Sequence, residues 1–201
     1  MILVTGGTRS GKSTLAERLV TQLGGRILYV ATAEPGDDEM RLRIERHQAA
    51  RPAEWGTLNA PRDVIAALRA VEGEWDSILL DCLTLYTTNL LLEREADSPD
   101  PEIILTKDLA DLADYLVERW PRSVVVTNEV GSGIVPVHRL SRLFRDLQGR
   151  VNQLFARKAD EVFFCVSGLP MKVKGPGSPF AGLDGTSFAE CLPAPPARGR
   201  E

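Results

Sequence analysis

Cysteine and histidine, the side chains from which zinc and redox sites are built, are scarce in this sequence. Its 201 residues include three cysteines and two histidines. Cys82, Cys165 and Cys191 are widely spaced, and none of them belongs to a C-x-x-C pair. This usage indicates reduced thiols rather than a disulfide framework, a zinc site or a redox motif. We therefore expect a protein that folds in the cytoplasm without cross-links.

Long apolar runs and an excess of positive charge are missing as well. No run reaches the roughly 18 consecutive apolar residues of a membrane-spanning helix, and no signal-peptide pattern is present. Lysine and arginine number 24 against 28 aspartates and glutamates, which gives a net charge of −4 and argues against a general nucleic-acid binder. We expect no membrane span, no nucleic-acid partner and a cytoplasmic location.

The apolar residues that are present form short, nearly continuous runs that alternate with longer segments of helical period. This alternation is typical of β-α units on a mostly parallel sheet with helices on both faces, so we predict an α/β fold. The predicted strands are Ile2–Thr5, Ile27–Thr32, Ile78–Asp81, Val124–Asn128 and Val162–Ser167, with a last short strand at Met171–Lys174. The predicted helices are Lys12–Leu23, Asp38–Ala50, Arg62–Val71, Leu83–Arg94, Pro101–Trp120 and His138–Lys158.

The composition changes near the end of the sequence. From Gly175 onward proline and glycine dominate and the periodicity stops, which is typical of a flexible tail. We predict one domain over residues 1–174 and a tail over residues 175–201.

The first predicted strand runs into a complete phosphate-binding motif. The motif is G-x-x-x-x-G-K-[ST], and it lies between a predicted strand and a predicted helix, which is the context that gives such a match its meaning. Glycines let backbone N–H groups turn toward phosphates, and the helix N-terminus adds a positive dipole end. We expect Lys12 to reach the β- and γ-phosphates of ATP or GTP and the Ser13 hydroxyl to bind Mg²⁺. The residues are Gly6, Gly7, Thr8, Arg9, Ser10, Gly11, Lys12 and Ser13.

Two acidic residues lie at the ends of predicted strands. Asp81 closes the run Ile78–Leu80, and Glu129 follows Asn128. Carboxyl ends of parallel strands face the ligand crevice of such folds. Either carboxylate fits a Mg²⁺-associated group, Glu129 also fits a catalytic acid or base, and the alternative for both is a strand-end residue that caps the next turn.

His47 is the more informative of the two histidines. His138 reads as a solvated helix end, whereas Met40, Ile44 and His47 share one helical face, which Arg51 continues. Spacing alone favours a histidine satisfied within a core. The alternative is a neutral imidazole that attacks a phosphorus atom while nearby arginines hold the phosphates.

Several segments in order resemble the bifunctional adenosylcobinamide kinase/adenosylcobinamide-phosphate guanylyltransferases of cobalamin biosynthesis. The similarity extends over roughly residues 1–174, and the ordered set is much more specific than the phosphate motif alone. It rests on Ile2–Ser13, Tyr29–Thr32, Asp37–Met40, Arg43-Ile44, His47, Arg51-Pro52, Trp55, Thr88–Leu91, Thr127–Pro136 and Arg145–Asn152.

This resemblance implies a P-loop NTPase with a RecA-like sheet, a homotrimer, and two reactions. The first phosphorylates the aminopropanol hydroxyl of adenosylcobinamide with ATP or GTP, using Mg²⁺. The second transfers GMP from GTP to adenosylcobinamide phosphate through a guanylylated histidine, which matches His47. Asn59 stands where relatives carry an acidic residue, so no ionic contact is expected there. Beyond the phosphate motif, the implied nucleotide contacts are Ala31, Thr32, Ala33, Gln48, Ala49, Ala50, Arg51 and Asp81.

Two other functions are compatible with the phosphate motif. A monofunctional small-molecule kinase would leave His47 structural, although such an enzyme has no need of the helix that ends at Arg51-Pro52. A nucleotide-gated binding protein would change shape without chemistry, and it would combine tight nucleotide binding with weak turnover.

Overall fold

In the computed structural model, residues 1–34, 36, 38–49, 51–94 and 100–179 are described. Strands and helices alternate along most of this part of the chain, as the apolar pattern predicts. The strands are β1 (Ile2–Gly6), β2 (Ile27–Ala31), β3 (Gly56–Asn59), β4 (Ser77–Asp81), β5 (Ser123–Val126), β6 (Glu161–Val166) and β7 (Leu169–Lys174). The helices are α1 (Lys12–Leu23), α2 (Asp38–Ala49), α3 (Val64–Arg69), α4 (Leu83–Arg94), α5 (Pro101–Arg119) and α6 (Arg139–Lys158).

The strands form one sheet in the order β3-β2-β4-β5-β1-β6-β7. Strands β1 to β6 run parallel, and β7 returns antiparallel to β6. Val4 of β1 lies in register with Val126 of β5 on one side and with Phe163 of β6 on the other. The carboxyl ends of the parallel strands therefore meet at one edge of the sheet. The α/β prediction, with a mostly parallel sheet, is confirmed.

Successive side chains of a strand point to opposite faces, and this alternation divides the core into two layers. On one face Val4, Tyr29 and Leu79 pack with Ala16 and Val20 of α1. The larger layer on the other face contains the intervening strand residues together with the apolar sides of the remaining core helices. Its fully buried members include Leu3, Val30, Leu80, Val125, Leu68, Leu83, Leu109, Leu116, Val151 and Phe155. Helices cover both faces, as the continuous apolar strands predict.

Most predicted boundaries agree with the structure to within one or two residues. One strand was not predicted, and two elements begin at other residues than predicted. The sequence did not predict β3, which is short, alternates between half-buried and exposed residues, and contains a glycine and an asparagine. Helix α3 begins later than Arg62 because Asp63 caps it by accepting a hydrogen bond from the backbone N–H of Ala66. The predicted last strand begins at Leu169 rather than Met171.

The end of the described chain is a turn on β7. The Ser178 hydroxyl donates a hydrogen bond to the carbonyl of Val173 at 2.8 Å, and Ser178 is buried. Most of the predicted tail, residues 180–201, lies outside the described residues, so the domain boundary stays a prediction. Within the described segments, no helix combines the length and the apolar character needed to cross a membrane.

Candidate active site

A cavity of about 380 Å³ opens at the carboxyl edge of the sheet, above the loop that joins β1 to α1. Three groups of residues line it, and each group comes from a different part of the fold. The loop and the first turn of α1 contribute Thr8, Arg9, Ser10, Gly11, Lys12, Ser13 and Thr14. The strand ends contribute Tyr29, Ala31, Ala33, Asn59, Asp81, Cys82, Val126 and Asn128, with Leu85 from α4. Helix α2 and the residues after it contribute Ile44, His47 and Arg51.

The phosphate loop is held between two neighbouring segments by backbone hydrogen bonds. The carbonyl of Gly6 accepts from the N–H of Glu129, and the carbonyl of Ser10 accepts from the N–H of Gly168, both at 3.0 Å. Gly6 has φ +149°, and a Cβ there would lie 2.4 Å from the carbonyl oxygen of Cys165. The Lys12 ammonium donates to the carbonyl of Gly7 at 2.6 Å, so its side chain curls over the loop. This packing explains why the motif needs glycine at position 6.

Two buried polar atoms of the cavity lining have no hydrogen-bond partner among the described residues. They are the hydroxyl oxygen of Ser10 and Nε of Arg51. Buried polar groups are normally satisfied, because leaving one unpaired costs about 1–3 kcal/mol. One atom belongs to the phosphate loop and the other to a guanidinium. Both therefore fit the oxygens of a bound phosphate chain.

Asp81, Tyr29 and Arg51 form a contact chain along one wall of the cavity. The Tyr29 hydroxyl donates to Oδ2 of Asp81 at 2.7 Å, and the Arg51 guanidinium lies over the Tyr29 ring, 3.3 Å from its centroid. Burial and the adjacent Asp81 carboxylate raise the pKa of Tyr29 well above its usual range. The phenol is therefore a permanent hydrogen-bond donor to Asp81 in neutral solution.

Thr32 lies behind this wall and fixes the chain that follows β4. Its hydroxyl donates to the carbonyl of Cys82 at 2.7 Å and accepts from the N–H of Cys82 at 2.8 Å. Thr32 is fully buried. Among the predicted nucleotide contacts it thus supports the cavity from behind and does not line it. Burial also raises the pKa of the Cys82 thiol, to about 12, so Cys82 is not a thiolate nucleophile at neutral pH.

His47 lies on α2, and its face points into the cavity rather than into a core. Ile44 and His47, one turn apart, are half-buried and both line the cavity. None of the α2 side chains that the structure describes is buried, so the helix covers the cavity from its surface side. The sequence spacing correctly predicted that Ile44 and His47 share one face of the helix. This face lines the same cavity as the phosphate loop.

Other predicted site residues lie at the margin of the cavity. Gln48 and Ala49 are exposed on α2 and do not line it, and Ala50 lies outside the described residues. Gly6 and Gly7 shape the loop from below. Glu129 uses Oε1 to accept a hydrogen bond from the backbone N–H of Gly131 at 2.6 Å, within its own turn. Asp81 thus lines the cavity, whereas Glu129 does not.

The donor set near the loop suits a magnesium ion. Ser13 supplies a hydroxyl and Asp81 a carboxylate to the same cavity. Mg²⁺ prefers oxygen ligands and is usually held by one or two protein groups together with substrate phosphates and water. The residues present therefore fit the ion that the phosphate motif implies.

Several cavity residues were not predicted as site residues, including Tyr29, Cys82 and Asn128. The sequence pattern predicted Tyr29 and Cys82 as core and Asn128 as a strand end. Glu17 on α1, one turn after Ser13, was not predicted either, and it does not line the cavity. Burial and the nearby Asp81 raise the pKa of its carboxyl, while His47 and Arg51 act in the opposite direction. For Tyr29, the feature of the sequence that could have indicated a site residue was its polar hydroxyl within an otherwise apolar strand.

Comparison with known proteins identifies close relatives. The family model described as cobinamide kinase / cobinamide phosphate guanyltransferase matches residues 2–173. A bifunctional adenosylcobalamin biosynthesis protein CobU of Salmonella typhimurium is 46% identical over 182 residues, which are 87% of this chain and 99% of that protein. The bifunctional adenosylcobalamin biosynthesis protein CobP of Pseudomonas aeruginosa is 44% identical, covering 86% of this chain and 96% of that protein.

Solved structures with a similar fold exist, and the following is one of them. A protein of Pyrococcus horikoshii OT3 superposes with a TM-score of 0.50 at 13% sequence identity, over 90% of this chain and 89% of that one. At this identity the match concerns the fold alone.

Proposed function

The chain belongs to the cobinamide kinase / cobinamide phosphate guanyltransferase family, and from that premise we propose that its single P-loop cavity serves both reactions. The protein is a bifunctional enzyme of cobalamin biosynthesis. It phosphorylates adenosylcobinamide and then converts the product to adenosylcobinamide-GDP.

In the kinase step, the chain's own residues position and neutralise the phosphates of ATP or GTP. The Lys12 ammonium exchanges its hydrogen bond to the Gly7 carbonyl for contacts with the β- and γ-phosphates. The N–H groups of the loop and the Ser10 hydroxyl bind the phosphate oxygens. The oxygen of the aminopropanol hydroxyl of adenosylcobinamide attacks the γ-phosphorus, and the hydroxyl proton passes to water. The bond from that phosphorus to the bridging oxygen breaks, and the nucleoside diphosphate leaves with the electron pair. No step of this reaction needs an imidazole.

In the transferase step, His47 is the nucleophile. The imidazole nitrogen that carries no proton donates its lone pair to the α-phosphorus of GTP, and pyrophosphate leaves with the electron pair of the broken P–O bond. A phosphate oxygen of adenosylcobinamide phosphate then attacks the same phosphorus. The P–N bond breaks and its electron pair returns to the imidazole. Arg51, one turn beyond His47, stabilises charge on the phosphates.

One observation carries this assignment. His47 of α2 and Arg51, which follows that helix, line the same cavity as Lys12 and Ser13 of the P-loop. A kinase that used the P-loop alone would have no reason to bring an imidazole there. The Cys82 thiol also lines the cavity, but its pKa is raised to about 12. Cys82 is therefore a thiol at neutral pH and not the nucleophile.

Magnesium and assembly complete the proposal. Ser13 and Asp81 hold Mg²⁺, whose charge, when the ion is bound, offsets that of the β- and γ-phosphates. The proposal also includes a homotrimer in the cytoplasm, in line with the family resemblance. Ultracentrifugation of the purified chain measures that assembly state.

The test uses GTP labelled at the α-phosphorus. The parent protein should become labelled in an acid-labile, alkali-stable form, as expected for a phosphorus–nitrogen bond. His47→Ala should take up no label and release no pyrophosphate, yet it should still phosphorylate adenosylcobinamide. Lys12→Ala should lose both reactions by on the order of 10²-fold or more, because one loop holds the phosphates for each.

His138→Ala is the matched control, since it removes the other histidine, which is exposed at the start of α6. It should label like the parent. Labelling that persists in His47→Ala would move the nucleophile elsewhere. Equal loss of kinase and transferase in His47→Ala would instead make the imidazole a structural part of α2, as in a monofunctional kinase.

A further inference from the structure

Tyr29 occupies a position that connects the two halves of the cavity. It lies on β2 with 4% of its surface exposed and still contributes to the cavity lining. Two of its groups have different partners. The hydroxyl reaches Asp81 on the neighbouring strand β4, and the ring face supports Arg51, which follows α2.

The ring of Tyr29 is an anchor for the end of α2. The described side chains of α2 include no buried one, so the helix has little apolar packing to fix its position. Immediately after the helix, the Arg51 guanidinium stacks on the ring at 3.3 Å. Its Nη1 also donates to the Thr57 hydroxyl of β3 at 3.4 Å. Because His47 lies one turn before Arg51, the stack fixes the imidazole's distance from the phosphate loop.

The hydroxyl of Tyr29 orients the Asp81 carboxylate. It donates to Oδ2 at 2.7 Å. Oδ1 is the oxygen not engaged in this bond, so the carboxylate presents a defined oxygen to a cation. Rotation of the carboxylate would break a hydrogen bond between a buried hydroxyl and a carboxylate.

We propose that Tyr29 is a positioning residue with two separable roles: its hydroxyl sets Asp81 for Mg²⁺ in both reactions, and its ring sets Arg51 and His47 for guanylylation alone. The inference rests on the function proposed above. Tyr29 touches neither the reacting phosphorus nor the attacking atom. It acts through Asp81 and through the end of α2.

The experiment separates the two roles by substitution. Tyr29→Phe removes the hydroxyl and keeps the ring, and Arg51→Lys keeps the charge and removes the planar stack. Tyr86→Phe controls for loss of a buried tyrosine hydroxyl outside the cavity, and Arg69→Lys controls for loss of an arginine over a tyrosine ring, that of Tyr115. Each full-length variant is measured for kinase rate, for self-labelling rate with α-labelled GTP, and for the Mg²⁺ concentration giving half-maximal rate. Calorimetry with a non-hydrolysable GTP analogue also measures the Kd of Mg²⁺ without turnover, and Tyr29→Phe should raise that Kd in parallel with the half-maximal concentration.

The two variants should fail in different ways. Tyr29→Phe should raise the half-maximal Mg²⁺ concentration about 5- to 20-fold in both reactions, since an orienting hydrogen bond of this kind is lost. At saturating Mg²⁺ its rates should recover. Arg51→Lys should slow self-labelling about tenfold at every Mg²⁺ concentration, and by clearly more than it slows the kinase reaction, as the loss of a desolvated cation–π contact implies. Tyr29→Leu should combine both defects.

Two results would overturn the inference. One is an unchanged Mg²⁺ requirement in Tyr29→Phe relative to Tyr86→Phe. The other is equal loss of kinase and self-labelling in Arg51→Lys. A parent protein that takes up no label would overturn the proposed function itself, whereas a labelled parent with unaltered variants would overturn this inference alone.

Discussion

Thr32 and Cys82 exchange two hydrogen bonds through a single hydroxyl, although they are 50 positions apart in the chain. The hydroxyl of Thr32 satisfies both the N–H and the carbonyl of Cys82 in a buried position. This pair fixes the backbone directly after Asp81. The carboxyl end of β4, and with it the wall of the cavity, therefore depends on a side chain from the end of β2.

Thr32→Val should destabilise the fold because it leaves the buried N–H of Cys82 without a partner, while the Cys82 carbonyl keeps the hydrogen bond from the Tyr86 N–H. We expect the free energy of unfolding to fall by about 1–3 kcal/mol, and Tm by roughly 2–12 °C. Thermal unfolding measures this. Thr87→Val is the control: its fully buried hydroxyl donates to the Leu83 carbonyl inside α4, and that carbonyl keeps its helical bond. An equal Tm loss in both variants would mean that the Thr32–Cys82 hydrogen bonds stabilise the fold no more than a threonine hydroxyl bonded within a helix.

Gly6→Ala and Gly7→Ala should differ strongly although the two residues are adjacent. A Cβ at Gly6 would meet the Cys165 carbonyl at 2.4 Å with φ at +149°, whereas a Cβ at Gly7 has no atom within 4 Å. Backbone overlap and strain together predict a loss of about 2–5 kcal/mol for Gly6→Ala. Chemical denaturation compares the pair. Similar unfolding midpoints would show that β1 and β6 can separate at this point without cost.

Glu17→Gln should alter the dependence of stability on pH. Burial raises the pKa of this carboxyl above its ordinary value of 4.5, with a further contribution from Asp81. A raised folded-state pKa contributes stability below the unfolded pKa, and that contribution is lost as the pH rises through the folded value. We therefore expect the Tm of Glu17→Gln to gain on that of the parent as the pH increases from about 4.5 toward neutrality.

Glu118→Gln, at an exposed position of α5, measures the effect of removing a surface carboxylate. A Tm difference between Glu17→Gln and the parent that stays constant with pH would contradict a raised pKa of the Glu17 carboxyl.

Truncation should reveal where the folded domain ends. Removal of residues 180–201 should leave Tm unchanged, because a Pro- and Gly-rich segment contributes little buried area. A cut after Lys174 also removes Ser178 and its hydrogen bond to Val173, and should lower stability by about 1 kcal/mol. Comparison of the two truncated proteins by calorimetry locates the boundary. A large Tm loss on removing 180–201 would place folded structure in that segment.

The sequence predicted those parts of the fold that depend on local pattern. Continuous apolar runs located the parallel strands, and the glycine spacing located the phosphate loop. Strand β3 was missed because an edge strand needs few apolar residues. Tyr29 was missed because its role depends on strand neighbours: pairing of β2 with β4 brings its hydroxyl to Asp81, and no local pattern encodes that pairing.

His47 shows the same limit for a helix. Its spacing placed it on a face with Ile44, and spacing alone favoured a core for that face. The structure places the face against the cavity because α2 lies across the carboxyl edge of the sheet, a matter of tertiary arrangement. The proposal that His47 is a nucleophile came from the resemblance to a family and not from the helical spacing.

The position of β1 within the sheet has a consequence for synthesis of the protein. β1 pairs with β5 and β6, whose residues follow it by more than a hundred positions, and the Ser10 carbonyl is bound by Gly168. Chains leave the ribosome from the N-terminal end, and contacts between distant segments form late. The phosphate loop is therefore translated among the first residues but acquires its supports among the last. A nascent chain lacks a finished nucleotide site until residue 168 has emerged.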